Sequence, residues 1–268
     1  MNFSKAISLL KITSLLYNYF NKDLKLIIVI GRGHGGTRAI SQTLSESGVY
    51  MGTTNDSGDL VPPKAMYDAV RIAGKYVKAT SLVGRTHPYL SKDTNNEWDF
   101  SRLINSEPTM LFKFLANKYL INILTHNGDR GWKLPETNLC YPWITQMFPD
   151  AYYIHWTRDP RDALLEAHLT DKIVSFNAPG SWNNTNILEQ RVQSWLYQMK
   201  IVQATPKPKN FIHVKFEDFC LNQEDTLNKL SDFLGIKLKA IPIKEGTVGR
   251  SNRIPIPISD EELKAFGY

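Results

Sequence analysis

Long apolar runs are missing from this chain. Residues 1–20 carry Leu9, Leu10, Ile12, Leu15, Leu16, Tyr19 and Phe20 at helical spacing, but Lys5, Lys11 and polar residues interrupt them. Nothing there is long enough to span a bilayer, and no small-residue cleavage site follows a continuous apolar core. The expectation is therefore no transmembrane segment and no signal peptide, but an amphipathic helix over residues 1–25 packed on one domain of residues 26–268, in a cytoplasmic protein. Cysteine is also scarce: Cys140 and Cys220 are too few for a disulfide scaffold or a cysteine-rich metal site. No His/Asp spacing suggests metal ligands, so no metal is expected. Repeats and low-complexity blocks are absent. The net charge of +6 suits anionic ligands, but the basic residues are scattered and form no nucleic-acid stripe.

The 268 residues, 42% of them hydrophobic, are enough for a sizeable core. Apolar strand runs alternate with helical patterns in the order a parallel sheet requires. The first run, Leu26-Ile27-Ile28-Val29-Ile30, reads as a buried parallel strand. It leads into Gly31-Arg32-Gly33-His34-Gly35-Gly36-Thr37-Arg38, after which Ala39, Ile40, Thr43 and Leu44 share a helical face. Four glycines permit a tight turn, and unpaired amides at a helix N-terminus favour an anion. Arg32, His34 and Arg38 add side-chain donors. These features describe a phosphate cradle.

Gly31 and Gly36 have the Gly-x-x-x-x-Gly spacing of a nucleotide loop, yet Thr37-Arg38 stands where Lys-Ser/Thr should follow. The magnesium-holding hydroxyl is missing from its place. The same glycines satisfy Gly-x-Gly-x-x-Gly, but Glu46 and Asp56 lie in the wrong context for a dinucleotide site. A glycine-rich turn with no ligand is the plainest alternative.

Further along, residues 48–52 read as a turn or short strand, 53–59 as a polar loop and 62–75 as a helix with Met66, Val70 and Ala73 inward. Residues 80–108 read as an irregular surface insertion, and residues 111–124 as helical. Trp132-Lys133-Leu134-Pro135-Glu136 ends a strand before a helix carrying Trp143, Ile144 and Met147. Residues 151–157 form a strong strand candidate, followed by a helix over residues 162–174. A last strand covers residues 211–216, with a helix over 227–234. Ligand groups gather past the carboxyl ends of such strands, which points to residues 31–38, Lys133 with Glu136, and Arg158 with Arg161.

Four ordered motifs carry a family resemblance. The loop at residues 33–38 resembles the 5′-phosphosulfate loop of sulfotransferases that use 3′-phosphoadenylyl sulfate (PAPS). Residues 148–162, with Arg158-Asp159-Pro160-Arg161-Asp162, resemble the segment around the nucleotide 3′-phosphate. Phe216-Glu217-Asp218-Phe219 through Phe233-Leu234-Gly235 and Val248-Gly249-Arg250 resemble two further family segments, the last a loop closing over the nucleotide. The resemblance runs from about residue 26 to 268. It implies a three-layer α/β/α, P-loop NTPase-like sulfotransferase fold with a mostly parallel central sheet. It also implies metal-independent transfer from PAPS to a hydroxyl or amine of a small-molecule or carbohydrate acceptor, leaving adenosine 3′,5′-bisphosphate (PAP).

On that resemblance, Arg32, Gly33, Gly35, Gly36, Thr37 and Arg38 hold the phosphosulfate, while Arg158 and Arg250 hold the 3′-phosphate. His34, Lys133 and Glu136 would carry the chemistry, with Glu136 as base and His87 or Asp59 as alternatives. Glu136 could equally serve as a helix N-terminal residue, and Lys133 could steer the sulfonate or pair with Glu136. His34 replaces a lysine common in the family, and Glu166 stands where a serine is usual, eight residues after Arg158. His155 reads as a packed histidine, Arg161 and Asp162 as shaping a helix start, and Glu217 and Asp218 as structural groups. Trp156, Trp182 and Trp195 read as core. Residues 53–108 and 175–190 should set acceptor choice. A nucleotide-binding protein without turnover and a small-metabolite P-loop kinase are the rival readings; nothing indicates an oligomeric state.

Overall fold

The computed structural model describes residues 24–79, 98–179, 187–244, 246–250, 256 and 258–268. His87, Trp182 and the expected N-terminal helix lie outside these residues.

Four strands form one parallel sheet: β1 (Leu26–Ile30), β4 (Arg130–Lys133), β5 (Tyr152–Thr157) and β6 (Asn210–Lys215), in the order β4-β1-β5-β6. Two short strands, β2 (Lys78–Ala79) and β3 (Trp98–Asp99), pair separately and antiparallel. All five residues of β1 are buried, as expected of a central strand covered on both faces. Alternation then sorts its side chains. Leu26, Ile28 and Ile30 join Trp132 and Tyr153 on one face. There they meet Met66, Val70 and Ala73 of α2 (Lys64–Gly74) and Phe112, Ala116 and Leu120 of α4 (Met110–Leu124). Ile27, Val29, Ile154 and Trp156 face the other way, onto Ile40 and Leu44 of α1 (Thr37–Glu46) and Leu227, Leu230 and Leu234 of α9 (Gln223–Leu234). Helices thus cover both faces of a parallel sheet, giving the expected three-layer α/β/α architecture.

Two expectations need correction. Part of the supposed surface insertion is structured: α3 (Ser101–Asn105) follows β3, and Phe100 and Leu103 are buried in the core. The expected helix over 162–174 is broken into α6 (Pro160–Ala163) and two 3-10 turns, Leu169–Asp171 and Ile173–Phe176. The cause is tertiary. The carbonyls of Ala163 and Glu166 accept from the Arg32 guanidinium, and His168 caps the first 3-10 turn with a reciprocal bond from its amide to Asp171.

The remaining helices are α5 (Tyr141–Met147), α7 (Ile187–Ala204), α8 (Phe216–Leu221) and α10 (Asp260–Ala265). Trp195 of α7 packs edge-on against Phe266, which seats the end of the chain beside α7. None of the helices among the described residues is long and apolar enough to cross a membrane.

Candidate active site

The strand registers bring three loops together. Val29 lies beside Lys133 and Ile30 beside His155, so β1, β4 and β5 release their chains at one edge of the sheet. From β1 comes the glycine loop. Gly36 occupies the left-handed region (φ 78°) and caps α1, and a side chain there would also meet the Phe216 ring. Gly33 lies against the His168 imidazole, where a Cβ would come within 2.1 Å of the ring. The first amides of α1 lack intrahelical partners and are available to an anion. Thr37 is buried at this turn, and Arg38 is exposed beside it.

At the end of β4, the Lys133 ammonium donates to Asp59 Oδ1 (2.6 Å) and to the Ser57 carbonyl (2.7 Å). Lys133 pairs with Asp59 rather than Glu136, and the contact ties loop 55–59 to the sheet. Ser41 of α1 donates to the Gly58 carbonyl and fastens the other side of that loop. Burial pushes the Lys133 ammonium below its ordinary value, while Asp59 opposes the shift. Glu136 is buried three residues past the strand end, in the 3-10 turn Pro135–Cys140. Burial raises its carboxyl from 4.5 to about 7; its own backbone amide opposes this, Asp59 adds to it, and Lys133 counters. Burial, reinforced by the Glu136 and Asp59 carboxylates, raises the Tyr67 hydroxyl to about 12.

At the end of β5, Arg158 is buried with its guanidinium 4.7 Å over the Phe216 ring. It donates to Asp162 (3.3 Å), to the Thr247 carbonyl and weakly to the His34 carbonyl (3.4 Å). Its Nε has no hydrogen-bond partner. Asp162 also accepts from the Gly249 amide (2.8 Å), which moors the strap of residues 246–250 beside Arg158. Arg250 follows on that strap and is exposed. Glu217 accepts from the Asp159 amide, Arg161 pairs with Asp159, and His155 is buried, so these residues have the packing and loop-bonding roles expected of them. Trp156 and Trp195 are core residues.

The family pattern described as "Sulfotransferase family" matches residues 27–240. The chain belongs to the sulfotransferase family. No curated protein sequence matches it significantly. Among solved structures, it is similar to a chain titled "Sulfotransferase Domain from the Curacin Biosynthetic Pathway", at 12% identity and a TM-score of 0.47, over 85% of this chain and 77% of that one.

Within this sulfotransferase, two of the expected donor groups are already engaged. Arg32 is buried, and its guanidinium forms a bidentate pair with Asp171 (2.8 Å) besides three backbone contacts. His34, in the left-handed region (φ 59°), directs Nε2 to the Ala167 carbonyl (3.0 Å) and Nδ1 to Glu166 (3.3 Å). Both ring nitrogens thus face oxygen atoms of residues 166–167. Glu166 turns to His34, which accounts for an acidic residue being tolerated in this position.

His168 is the site residue that sequence reasoning missed. Its Nδ1 accepts from the Thr170 amide, so the proton sits on Nε2 beside Gly33. Burial and the charges of Arg32, His34 and Lys133 lower it to about 3, keeping the ring neutral. The spacing of His168 and Asp171 resembles a capping box and is the one local signal for this turn. The Arg32–Asp171 pair spans 139 positions and has no local signal.

Proposed function

We propose that this sulfotransferase moves a sulfuryl group from PAPS to a hydroxyl or amine of a small-molecule or carbohydrate acceptor, without a metal. The observation carrying this reading is the buried Glu136 carboxyl, raised to about 7, held beside Lys133 at the same sheet edge as the glycine loop. A carboxylate poised near neutrality is suited to general-base work. PAPS would supply the electrophilic sulfur and a phosphate leaving group. Its fit rests on the open amides of α1, the buried Thr37 hydroxyl and the unbonded Nε of Arg158.

In this mechanism, Glu136 takes the acceptor's proton as the acceptor oxygen bonds to sulfur. The bond from sulfur to the bridging oxygen breaks with its electron pair leaving on the phosphate. Arg38, Lys133 and the amides of residues 36–38 stabilise that charge, and His34 flanks them on the loop. Gly33, Gly35 and Gly36 let the backbone approach closely. Arg158 and Arg250 hold the 3′-phosphate, and Arg32 acts by fixing the loop's shape. Calorimetric titration with PAP, without magnesium and alongside ATP, tests the donor site. Selective PAP binding is expected; ATP binding only with magnesium would overturn it in favour of a kinase-like loop.

A second reading, nucleotide binding without turnover, is favoured by the two ring contacts of His34, which turn it toward residues 166–167. PAP binding without sulfation of any hydroxyl or amine acceptor would select it.

A further inference from the structure

On the α7 side of β5 and β6 lies a second cavity, of about 470 Å³. Its size falls within the range of small-molecule sites. Its floor is aromatic and layered: His155 lies 5.2 Å from His213 and 6.1 Å from Phe211, ring centre to ring centre. Met199 and Val202 of α7 and Phe266, just past the end of α10, provide apolar walls. Two lysines, Lys207 and Lys215, line it, but no Asp or Glu does. The Lys207 ammonium stands 5.2 Å over the Phe211 ring. Lys215 is bonded to the Gly267 carbonyl and placed 4.9 Å over the Tyr268 ring.

The deep end holds unused polar groups. His155 is 6% exposed, and its Nε2 has no hydrogen-bond partner; the buried hydroxyl of Tyr141, another lining residue, has none either. Two such groups in one wall are costly unless something bonds to them. Burial, with the neighbouring His213, keeps the His155 ring neutral, so it offers an uncharged donor or acceptor. His155 and Met199 also line a second, smaller space. It measures about 10 Å³ and lies under Gly31, Gly35 and Arg158, room for about one water molecule. The larger cavity therefore adjoins this small space through His155 and Met199, and none of the glycine-loop residues lines it.

We propose that this cavity is a second ligand site, taking a small aromatic acid that carries a phenolic hydroxyl. The ring packs between Phe211 and Val202, the acid group meets Lys207 at the mouth, and the hydroxyl reaches His155 and Tyr141. The site is independent of the proposed PAPS chemistry.

Calorimetric titration of the full chain with para-coumarate, with and without saturating PAP, tests it. Saturable one-to-one binding that survives PAP is expected. Cinnamate, lacking the hydroxyl, and coumaryl alcohol, lacking the acid, should each bind about tenfold more weakly. Lys207→Glu, at an exposed position, should weaken para-coumarate by about tenfold while leaving the melting temperature unchanged. His155→Phe, which leaves only Tyr141 for the hydroxyl, should reduce the difference between para-coumarate and cinnamate, and an undiminished difference would remove His155 from the site. The proposal is overturned by absence of saturable para-coumarate binding, by its displacement by PAP, or by equal affinity in Lys207→Glu. Absence of a PAP signal would count against the nucleotide reading alone, because the para-coumarate signal is read separately.

Discussion

Glu136 couples chemistry to stability. Its neighbours were recognisable as chemical types, but its usefulness comes from burial that the sequence does not display. Glu136→Gln should cut turnover at least about a hundredfold and leave PAP affinity unchanged. In the wild type, activity should fall about tenfold per pH unit below about 7 as the base protonates. The stability effect runs the opposite way. Between 4.5 and about 7 the folded protein holds a proton that the unfolded chain has lost. This contribution is fully present below 4.5 and disappears as pH rises through about 7. Glu136→Gln should therefore match the wild type in urea melts near pH 4 and exceed it by on the order of 3 kcal/mol near pH 8. Equal stability at both pH values would mean that the carboxyl is not perturbed.

The fork geometry of Arg158 is equally specific. Its partly engaged guanidinium retains one unbonded donor. Arg158→Lys keeps the charge but loses the fork. PAP affinity should fall by about tenfold, measured calorimetrically, and undiminished affinity would remove Arg158 from the donor site.

At the scale of elements, the glycine loop was legible because its signals are local: a β-branched run, closely spaced glycines and a helical pattern starting at Thr37. What shapes the loop was not. Arg32 looked like a ligand donor because it sits within the motif, but burial against Asp171 makes it the clamp between the loop and the first 3-10 turn. Arg32→Ala leaves that carboxylate without its partner. A loss of about 3–5 kcal/mol is expected in chemical denaturation, the scale for breaking a buried ion pair from one side. Gly36→Ala combines a left-handed backbone with a contact on Phe216 and should lower the melting temperature by an amount equivalent to about 1–2 kcal/mol. The same tertiary contacts broke the helix expected over 162–174. Periodicity alone could not show that two of its carbonyls are bonded by a residue more than 130 positions earlier.

At the scale of the whole molecule, Gly249 bonded to Asp162, and Thr247 bonded to Arg158, place the strap of residues 246–250 over the end of β5. Arg250 is exposed there. If it grips the 3′-phosphate, PAP should slow tryptic cleavage after Arg250, as followed by mass spectrometry. Unchanged cleavage under saturating PAP would argue against that role.

The main strands, the helices flanking them and the strand–glycine loop–helix unit at residues 26–46 were legible in the sequence itself, because each is signalled by neighbours in the chain. Repeats of two and of 3.6 residues declare which side is apolar. Tertiary structure decided the partnerships. It joined Lys133 to Asp59 instead of Glu136, turned Glu166 to His34, seated the neutral His168 against Gly33 and left His155 unbonded beside a cavity. These outcomes depend on desolvation and on contacts between distant segments, and residue type and spacing fix neither.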